Sequence, residues 1–291
     1  MSLPLFSYGV VADPQYVDAE DGSNFTKSRI RRYRQSLQIL HKAGRSFQMH
    51  GTLCNVVLGD ILDGKAASMG IKDRCLQDVF DATERQQPGS WHYVLGNHDY
   101  YCFNRVQLST QLVPNAPQCT PTRLYYDFAP TPGFRFVILD GYEVSQMGAA
   151  SPQLAAAAES LLRAKNPNYA VGSNDWFKGI PLEDRRYVPY NGGVGQEQYE
   201  WLRDTLGKAE QACEKVVVFC HMPVFAPCSQ LNNLLWNSEQ VLGLLQASPS
   251  VCAFIAGHDH DGGYALDAAG VHHIVPPAPL ECAVGEVAFG E

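Results

Sequence analysis

Short runs of apolar residues recur along the chain, and each run ends in polar residues. Runs of four to seven such residues that are bounded by Gly or Asp predict buried β-strands. The predicted strands are Phe6–Ala12, Asn55–Leu58, Trp91–Leu95, Phe134–Leu139, Lys215–Cys220, Ala253–Ala256 and Val271–Val275. The strand signal therefore extends over most of the chain.

Helical patterns lie between these runs. In the first of them, Ile30, Tyr33, Leu37 and Leu40 follow one another at spacings of three and four residues, which is typical of an amphipathic helix. The predicted helices are Thr26–Ser46, Leu154–Ala164, Gln196–Gln211 and Asn232–Gln246. Strands that alternate with helices predict an α/β protein.

One segment departs from this alternation. Residues 166–193 are polar and rich in Pro and Asn, and they show no regular hydrophobic period. A connection of that length without periodicity is usually functional.

Length, composition and charge narrow the class of protein. The chain has 291 residues, of which 45% are hydrophobic and 18% are charged, which excludes global disorder. No linker is visible, so we expect a single domain over residues 1–291. The net charge of −8 argues against a nucleic-acid partner, because no basic field covers the molecule. No apolar run reaches the roughly 18 residues of a membrane span.

Cysteine usage and the N-terminus bear on the compartment. The nine cysteines are scattered without CxxC pairs, so neither a disulfide framework nor a cysteine zinc site is indicated. The first ten residues lack the basic flank and apolar stretch of a signal peptide. We therefore expect a cytoplasmic protein without membrane contact, and nothing in the sequence indicates more than a monomer.

Residues that can bind metals follow five of the predicted strands. In α/β folds the carboxyl ends of strands converge on the functional site, so residues distant in sequence can meet there. Any one of these residues has an ordinary structural explanation, and it is the repetition that indicates a shared site. Asp60 follows a tight Gly, where its two carboxylate oxygens can bridge two cations roughly 3.5–4 Å apart. The residues are Asp13, Gln15, Asp60, Asn97, His98, His221, His258 and His260.

The motifs that contain these residues resemble those of the calcineurin-like metallophosphoesterases. They occur in the order of that family and cover most of the chain. The resemblance implies two stacked mixed β-sheets flanked by helices, a four-layer α/β/β/α sandwich with the site at the strand ends. The motifs are DxQ at Asp13–Gln15, GDxxD at Gly59–Asp63, GNHD at Gly96–Asp99, the single His221, and GHDH at Gly257–His260.

The resemblance also implies a pair of divalent metal ions and their ligands. Asp60 would bridge the two ions. The first ion would also be bound by Asp13, Gln15 and His260, and the second by Asn97, His221 and His258. His98 would lie outside both ligand sets and stabilise or protonate the leaving oxygen.

Gln15 is a departure from the family pattern, which mostly has His at this position. An amide oxygen is a harder and weaker ligand than an imidazole, which favours Mn²⁺, with Mg²⁺ as the other possibility, over zinc or iron. The DxQ variant resembles the branch of manganese-dependent ADP-ribose/CDP-alcohol diphosphatases. Further local features resemble the same branch: Asn24-Phe25 before RIRRYR, Asn191-Gly192-Gly193, Leu234–Asn237, and GHDHDGGY at Gly257–Tyr264.

This second resemblance implies hydrolysis of the phosphoanhydride of ADP-ribose and of CDP-alcohols such as CDP-choline and CDP-glycerol. A hydroxide shared by the two metals would attack, and the products would be a nucleoside monophosphate and a phosphate monoester. One alternative is a phosphodiesterase of the same superfamily that acts on cyclic nucleotides or other phosphodiesters. Another is a metal-dependent scaffold without turnover, which the complete set of competent ligand types disfavours.

Three residues are predicted to bind the nucleoside diphosphate substrate. Phe25 offers a stacking face, although a hydrophobic staple at the start of a helix is an equal alternative. Arg29 would meet the distal phosphate or the ribose, although a solvated helix face is the simpler expectation for most arginines nearby. Asn191, before two glycines, is expected close to the substrate.

Overall fold

The computed structural model describes residues 5–24, 27–113, 116 and 118–282. The strands, in chain order, are β1 Gly9–Val11, β2 Gly22–Ser23, β3 Ile30–Arg31, β4 Asn55–Val57, β5 Trp91–Tyr93, β6 Tyr126–Phe128, β7 Phe134–Ile138, β8 Val144–Ser145, β9 Gly192–Gly193, β10 Lys215–Cys220, β11 Val251–Ala256, β12 Gly263–Leu266 and β13 His272–Val275. The helices are α1 Tyr33–Met49, α2 Lys65–Ser68, α3 Lys72–Ala82, α4 Asn97–Cys102, α5 Arg105–Gln111, α6 Pro152–Lys165, α7 Pro167–Ala170, α8 Gln196–Gln211 and α9 Ser238–Ala247.

Two sheets form the centre of the fold. The smaller has the order β1-β4-β5, with parallel pairing throughout its described strands. The larger has the order β12-β13-β11-β10-β7-β6 and is mixed, because only its two edge strands run antiparallel to their neighbours. Every strand predicted from an apolar run lies in one of these sheets, which confirms the predicted α/β class.

Aromatic side chains fill the space between the two sheets. The ring of Tyr8, just before β1, meets the edge of Phe136 on β7 with ring centroids 4.9 Å apart. His92 on β5 stacks on Phe128 of β6 at 3.8 Å. Such contacts between bulky side chains of facing sheets make the continuous apolar layer that the stacked-sheet prediction requires.

The first predicted helix begins later than expected. Residues 30 and 31 are not helical. They form β3, which pairs with β2 in a short hairpin, and α1 begins only at Tyr33. The backbone N–H of Arg32 donates to the carbonyl of Leu280 at 2.8 Å, so the C-terminal segment holds this stretch extended. Residue 26, the predicted start, lies outside the described residues, but residues 27–32 are not helical, because a contact distant in sequence overrides the local helical period.

The last predicted helix is also shorter than expected. Its start at residue 232 is wrong, since α9 begins at Ser238. The backbone N–H groups of Leu235 and Trp236 are bonded to Pro223 and Gly192 instead of to a preceding turn. By contrast, α8 has the predicted bounds, and α6 begins after Ser151, whose hydroxyl accepts from the N–H of Leu154.

The carboxyl ends of β1, β4, β10 and β11 lie at one edge, where the polar residues that follow them meet. The backbone N–H of Gly257, after β11, donates to the carbonyl of His221, after β10, at 2.9 Å. The N–H of His258 donates to the carboxylate of Asp13, after β1, at 3.0 Å. The two sheets therefore present their strand ends to a common site.

Two further features concern the chain as a whole. Among the described helices, none combines the length and the apolar character that crossing a membrane requires. All nine cysteines fall within the described residues, and no two of them are joined in a disulfide there.

Candidate metal centre

The residues predicted to bind metal form one cluster at the common strand edge. The amide nitrogen of Gln15 lies 2.9 Å from Asp60 Oδ2 and 3.0 Å from His260 Nε2. His221 Nε2 lies 3.4 Å from Asp60 Oδ1 and 3.3 Å from Asn97 Oδ1. His258 Nδ1 is 3.0 Å from His221 Nε2, and His260 Nε2 is 3.8 Å from Asp13 Oδ1. Side chains as far apart in sequence as Asp13 and His260 thus share one pocket.

The backbone of the cluster is strained. Six non-glycine residues of the described chain have a positive φ, and four of them belong to the cluster: Asp13, Gln15, Asp60 and His258. Non-glycine residues in such conformations cost roughly 1–3 kcal/mol each and collect at functional sites. The fold therefore holds these four side chains at an energetic cost that stability alone does not explain.

Gly59 shows how little room the strand end offers. Its φ is +92°, and a Cβ built on it would lie 2.6 Å from His221 Nδ1. Glycine is therefore the residue that lets the turn before Asp60 pass directly beneath the imidazole.

The proton positions on His221 and His258 follow from their outer hydrogen bonds. His221 Nδ1 lies 2.7 Å from the carbonyl oxygen of Leu58, so Nδ1 donates and Nε2 has the free lone pair. His258 Nε2 lies 2.8 Å from the side-chain oxygen of Asn191. The amide nitrogen of Asn191 donates to two backbone carbonyls, which fixes the oxygen towards His258. Hence His258 Nδ1 also has a free lone pair.

With these proton positions, hydrogen-bond acceptors of different residues face one another in the cluster. The lone pairs of His221 Nε2 and His258 Nδ1 point at each other across 3.0 Å, and the carboxylate of Asp60 lies beside them. Each of these three residues offers one ligand atom, and the atoms all lie within 4.8 Å of one another. Converging acceptors without a proton between them fit a cation.

A second group of polar side-chain atoms surrounds His260. Its Nδ1 lies 2.9 Å from a carboxylate oxygen of Glu281, so Nε2 faces inward towards Asp13 and Gln15. The side-chain oxygen of Gln15 is buried and has no hydrogen-bond partner among the described residues. An unpaired buried acceptor costs about 1–3 kcal/mol, and a hard cation is a partner that would relieve it. Oxygen and imidazole ligands of this kind suit Mn²⁺ or Mg²⁺.

The two central carboxylates are fully buried. Burial raises the pKa of Asp13 to about 6, although His221 and His260 act in the opposite direction. Burial also acts to raise the pKa of Asp60, but the imidazoles of His221 and His98 outweigh it and leave that pKa below its usual value. Buried charges of like sign need nearby positive charge, so the electrostatics also favour cations at this position.

Asp99 supports the turn that carries Asp60. Its carboxylate accepts from the backbone N–H groups of Asp60, Ile61 and Gly96 at 2.8–2.9 Å. Burial, together with the charge of Asp60, raises the pKa of Asp99 to about 7. Asp99 thus acts on the site through the backbone and does not face the converging ligand atoms.

His98 lies at the rim of the cluster. Its Nδ1 accepts from the backbone N–H of Gly64 at 3.1 Å, so the proton of the neutral ring is on Nε2. That nitrogen lies 4.0 Å from Asp60 Oδ2 and faces the cluster. Burial lowers the pKa of His98, which keeps the ring neutral with one N–H available for donation.

Two of the three predicted substrate-binding residues, Arg29 and Asn191, have other contacts. Phe25 lies outside the described residues. Arg29 pairs with Glu281 at 3.1 Å and with Asp261. The side chain of Asn191 is fully buried, and its oxygen and nitrogen are all engaged by His258 and by backbone carbonyls. The structure therefore places Asn191 behind His258 and does not support it as a substrate contact.

Glu281 is a site residue that sequence reasoning missed. It contacts His260 directly, yet it follows no predicted strand and belongs to none of the motifs. The short helical turn Pro279–Glu281 brings it to the cluster through contacts with the region before α1. An isolated Glu near the C-terminus has no spacing that could have marked it.

Comparison with known proteins agrees with this geometry. A profile of the family described as calcineurin-like phosphoesterase matches residues 7–262. A protein of Mus musculus named manganese-dependent ADP-ribose/CDP-alcohol diphosphatase is 36% identical, over 99% of this chain and 87% of its own length. A protein of the same name from Oryza sativa subsp. japonica is 38% identical, over 99% and 87%.

A solved structure is similar as well. The crystal structure of a dimetal phosphatase from Danio rerio superposes with a TM-score of 0.91 at 34% identity. The match covers 97% of this chain and 90% of the other. Both the arrangement of the sheets and the position of the strand ends are thus shared with a phosphatase whose description names two metals.

Proposed function

This chain belongs to the calcineurin-like phosphoesterase family, and on that premise we propose that it is a manganese-dependent hydrolase of ADP-ribose and CDP-alcohols. The observation that carries the proposal is the convergence of unprotonated ligand atoms on Asp60, together with the unpaired oxygen of Gln15. Full-length relatives with that activity in their names support the choice of substrate.

The same residues define two ligand sets around a shared carboxylate. Asp13, Gln15, Asp60 and His260 would hold one ion, and Asp60, Asn97, His221 and His258 the other. The amide oxygen of Gln15 favours Mn²⁺ at the first position. When bound, the metal pair neutralises phosphate charge and makes water ionisable near neutral pH.

The contribution of the protein to the reaction is mainly orientation and one hydrogen bond to the leaving group. Water adds to the nucleoside-side phosphorus, and the P–O–P bridge breaks on the opposite side. The departing phosphate oxygen would accept a hydrogen bond from the N–H of His98 Nε2, which the hydrogen bond from Gly64 to Nδ1 keeps on the inward-facing nitrogen, while the proton released by the attacking water balances the charge of the leaving phosphate. ADP-ribose then gives AMP and ribose 5-phosphate, and a CDP-alcohol gives CMP and the phosphorylated alcohol.

A substrate panel tests this function. ADP-ribose, CDP-choline, CDP-glycerol and cyclic AMP are incubated with the metal-free protein after addition of Mn²⁺ or Mg²⁺, and products are identified by chromatography. We expect nucleoside monophosphates from the first three substrates, with faster turnover in Mn²⁺. Turnover of cyclic AMP alone would replace the proposal with a phosphodiesterase, and no turnover of any substrate would favour a scaffold.

We also propose that residues 1–291 form one domain that acts as a monomer. One continuous cluster of buried apolar side chains extends from Val11 to Leu280 and includes both sheets. A single calorimetric unfolding transition and the sedimentation of a 32.1 kDa particle are the expected results. Two separate transitions or a dimeric mass would contradict this part.

A further inference from the structure

A buried carboxylate holds the outer nitrogen of His260. Glu281 Oε1 lies 2.9 Å from His260 Nδ1, and Glu281 Oε2 lies 3.1 Å from Arg29 Nη1. The side chain of Glu281 is only 9% exposed. The carboxylate is therefore bonded on both oxygens, on one side by the imidazole and on the other by a guanidinium.

The position of Glu281 is fixed from several directions. The guanidinium of Arg29 also pairs with Asp261, the residue after His260. The side chain of Arg32 donates to the carbonyl oxygen of Glu281 at 2.7 Å, and its backbone N–H donates to Leu280 at 2.8 Å. The hairpin before α1 and the C-terminal turn thus clamp the carboxylate against the imidazole.

We propose that Glu281 is a positioning residue of the metal centre, which orients His260 and is itself held by Arg29. The hydrogen bond keeps the proton of His260 on Nδ1 and leaves Nε2 for the metal. A carboxylate behind a ligating imidazole also makes the ring a stronger ligand. The inference rests on the proposed function, because it assigns His260 to a metal.

The chain contains a matched pair of the same chemistry away from the cluster. His273 Nε2 lies 3.0 Å from Asp267 Oδ2, and both side chains are buried. If Glu281 only contributed a buried ion pair to stability, its removal and that of Asp267 would have the same kind of effect. A specific role at the metal centre predicts that only Glu281 affects metal affinity.

The test compares Glu281→Ala and Glu281→Gln with Asp267→Asn. Binding of Mn²⁺ to each full-length, metal-free variant is followed by the electron paramagnetic resonance of the free ion, and unfolding by circular dichroism. We expect Glu281→Ala to weaken one of the two Mn²⁺ sites about 10–100-fold. Glu281→Gln keeps an acceptor oxygen and should weaken it less. Asp267→Asn should leave both affinities unchanged, whatever its effect on unfolding.

Two results would overturn the inference: Mn²⁺ affinity of Glu281→Ala within twofold of wild type, or an equal loss of affinity in Asp267→Asn. Hydrolysis of ADP-ribose by the wild-type protein is measured in parallel. If the wild-type protein binds Mn²⁺ but does not hydrolyse ADP-ribose, the proposed function is wrong, whereas the role of Glu281 in metal binding is unaffected.

A separate observation concerns aromatic rings beside the cluster. Tyr101 lies 5.1 Å from the ring of His98 and is 45% exposed. Tyr190 lies 5.9 Å from the ring of His258, and Trp176 lies 5.9 Å from Tyr190. Tyr190 and Trp176 are half-buried and belong to the segment 166–193, which lacks a hydrophobic period.

We infer that these three rings, the aromatic rim, bind the base of the nucleoside diphosphate. Base–aromatic stacking tolerates different bases, which suits a site that accepts both adenine and cytosine. The rim begins at two histidines of the cluster, so a substrate with its phosphates at the cluster can extend its base along the rim. This inference also rests on the proposed function, since it takes its ligand from there.

Product inhibition separates the base from the phosphate. AMP and ribose 5-phosphate are compared as inhibitors of wild type, Trp176→Ala, and Phe177→Ala as a neighbouring aromatic control. We expect Trp176→Ala to raise the inhibition constant of AMP about 5–100-fold and to leave that of ribose 5-phosphate unchanged. Equal shifts for both inhibitors, or the same shift for AMP in Phe177→Ala, would overturn the inference. Hydrolysis of ADP-ribose by the wild-type protein is measured as well. If it is intact, a failure of the inference about the aromatic rim does not count against the proposed function.

Discussion

His258 and His260 are two residues apart and face the same cluster, yet their outer nitrogens are held by different partners. His258 is held by the neutral amide of Asn191, whereas His260 is held by the charged carboxylate of Glu281. Burial, with His221 beside it, lowers the pKa of His258 well below its usual value. For His260, burial also acts to lower the pKa, but the bond to Glu281 and the charge of Asp13 outweigh it and raise that pKa.

The comparison of His258 with His260 illustrates two kinds of hydrogen-bond partner that can orient an imidazole towards a metal site. On the His258 side, neutral acceptors fix the ring and add no charge, and the same holds for His221 on the carbonyl of Leu58. On the His260 side, negative charge behind the ring would strengthen it as a ligand, opposite the weaker amide oxygen that we propose for Gln15. In the proposed ligand sets, the charged partner thus lies on the side that has the weakest ligand.

The largest effect is expected from removal of the residue common to both sides. Asp60→Ala should eliminate tight binding of both metals and reduce turnover of ADP-ribose below detection, because the shared carboxylate is lost. Metal analysis after gel filtration, together with the turnover assay, measures this. Retention of two Mn²⁺ ions per chain by the variant would show that Asp60 does not join the two sides.

His98→Ala tests a residue outside both ligand sets. Loss of the hydrogen-bond donor to the leaving oxygen should lower kcat about 10²–10³-fold, while both Mn²⁺ affinities remain those of wild type. Steady-state kinetics and Mn²⁺ titration on the same preparation check this pair of expectations. An equal loss of metal affinity would place His98 among the ligands instead.

Asn191→Leu removes the neutral amide that holds His258. Without the amide oxygen, His258 is free to rotate and to change tautomer, so we expect about 10–100-fold weaker binding of one Mn²⁺. Asn166→Leu is the matched control, because Asn166 is equally buried and also donates to backbone carbonyls, at Trp176 and Tyr187. The comparison fails if both variants bind Mn²⁺ alike.

Gln15→His should have the smallest effect on turnover and a clear one on metal choice. The imidazole is a softer ligand than the amide oxygen, so preference should move from Mn²⁺ towards zinc while the fold stays intact. Activity titrations of both proteins with each metal, with circular dichroism as the control for folding, measure it. Identical metal profiles would remove the argument that Gln15 selects manganese.

Local patterns predicted the features that depend on local chemistry. The apolar runs identify the strands, and the polar residues after them identify the cluster, because strand ends in α/β folds converge. The start of α1 was predicted wrongly, because the contact of Arg32 with Leu280 is distant in sequence. Glu281 was missed for the same reason.

Burial is the other property that the sequence pattern leaves open. Asn191 was selected from its motif, but whether its side chain faces a substrate or supports His258 depends on what packs around it. Arg29 similarly lies in a basic run whose partners, Glu281 and Asp261, come from the other end of the chain. The location of these residues near the site was therefore easier to predict from the sequence than the role of each side chain.

The most direct test of the central claim, that Asp60 joins two cations in one centre, is electron paramagnetic resonance of the wild-type protein saturated with Mn²⁺, with metal content measured on the same sample. We expect two Mn²⁺ ions per chain with the exchange-coupled signal of a bridged pair. A single bound ion at saturation, or two ions with independent signals, would contradict it.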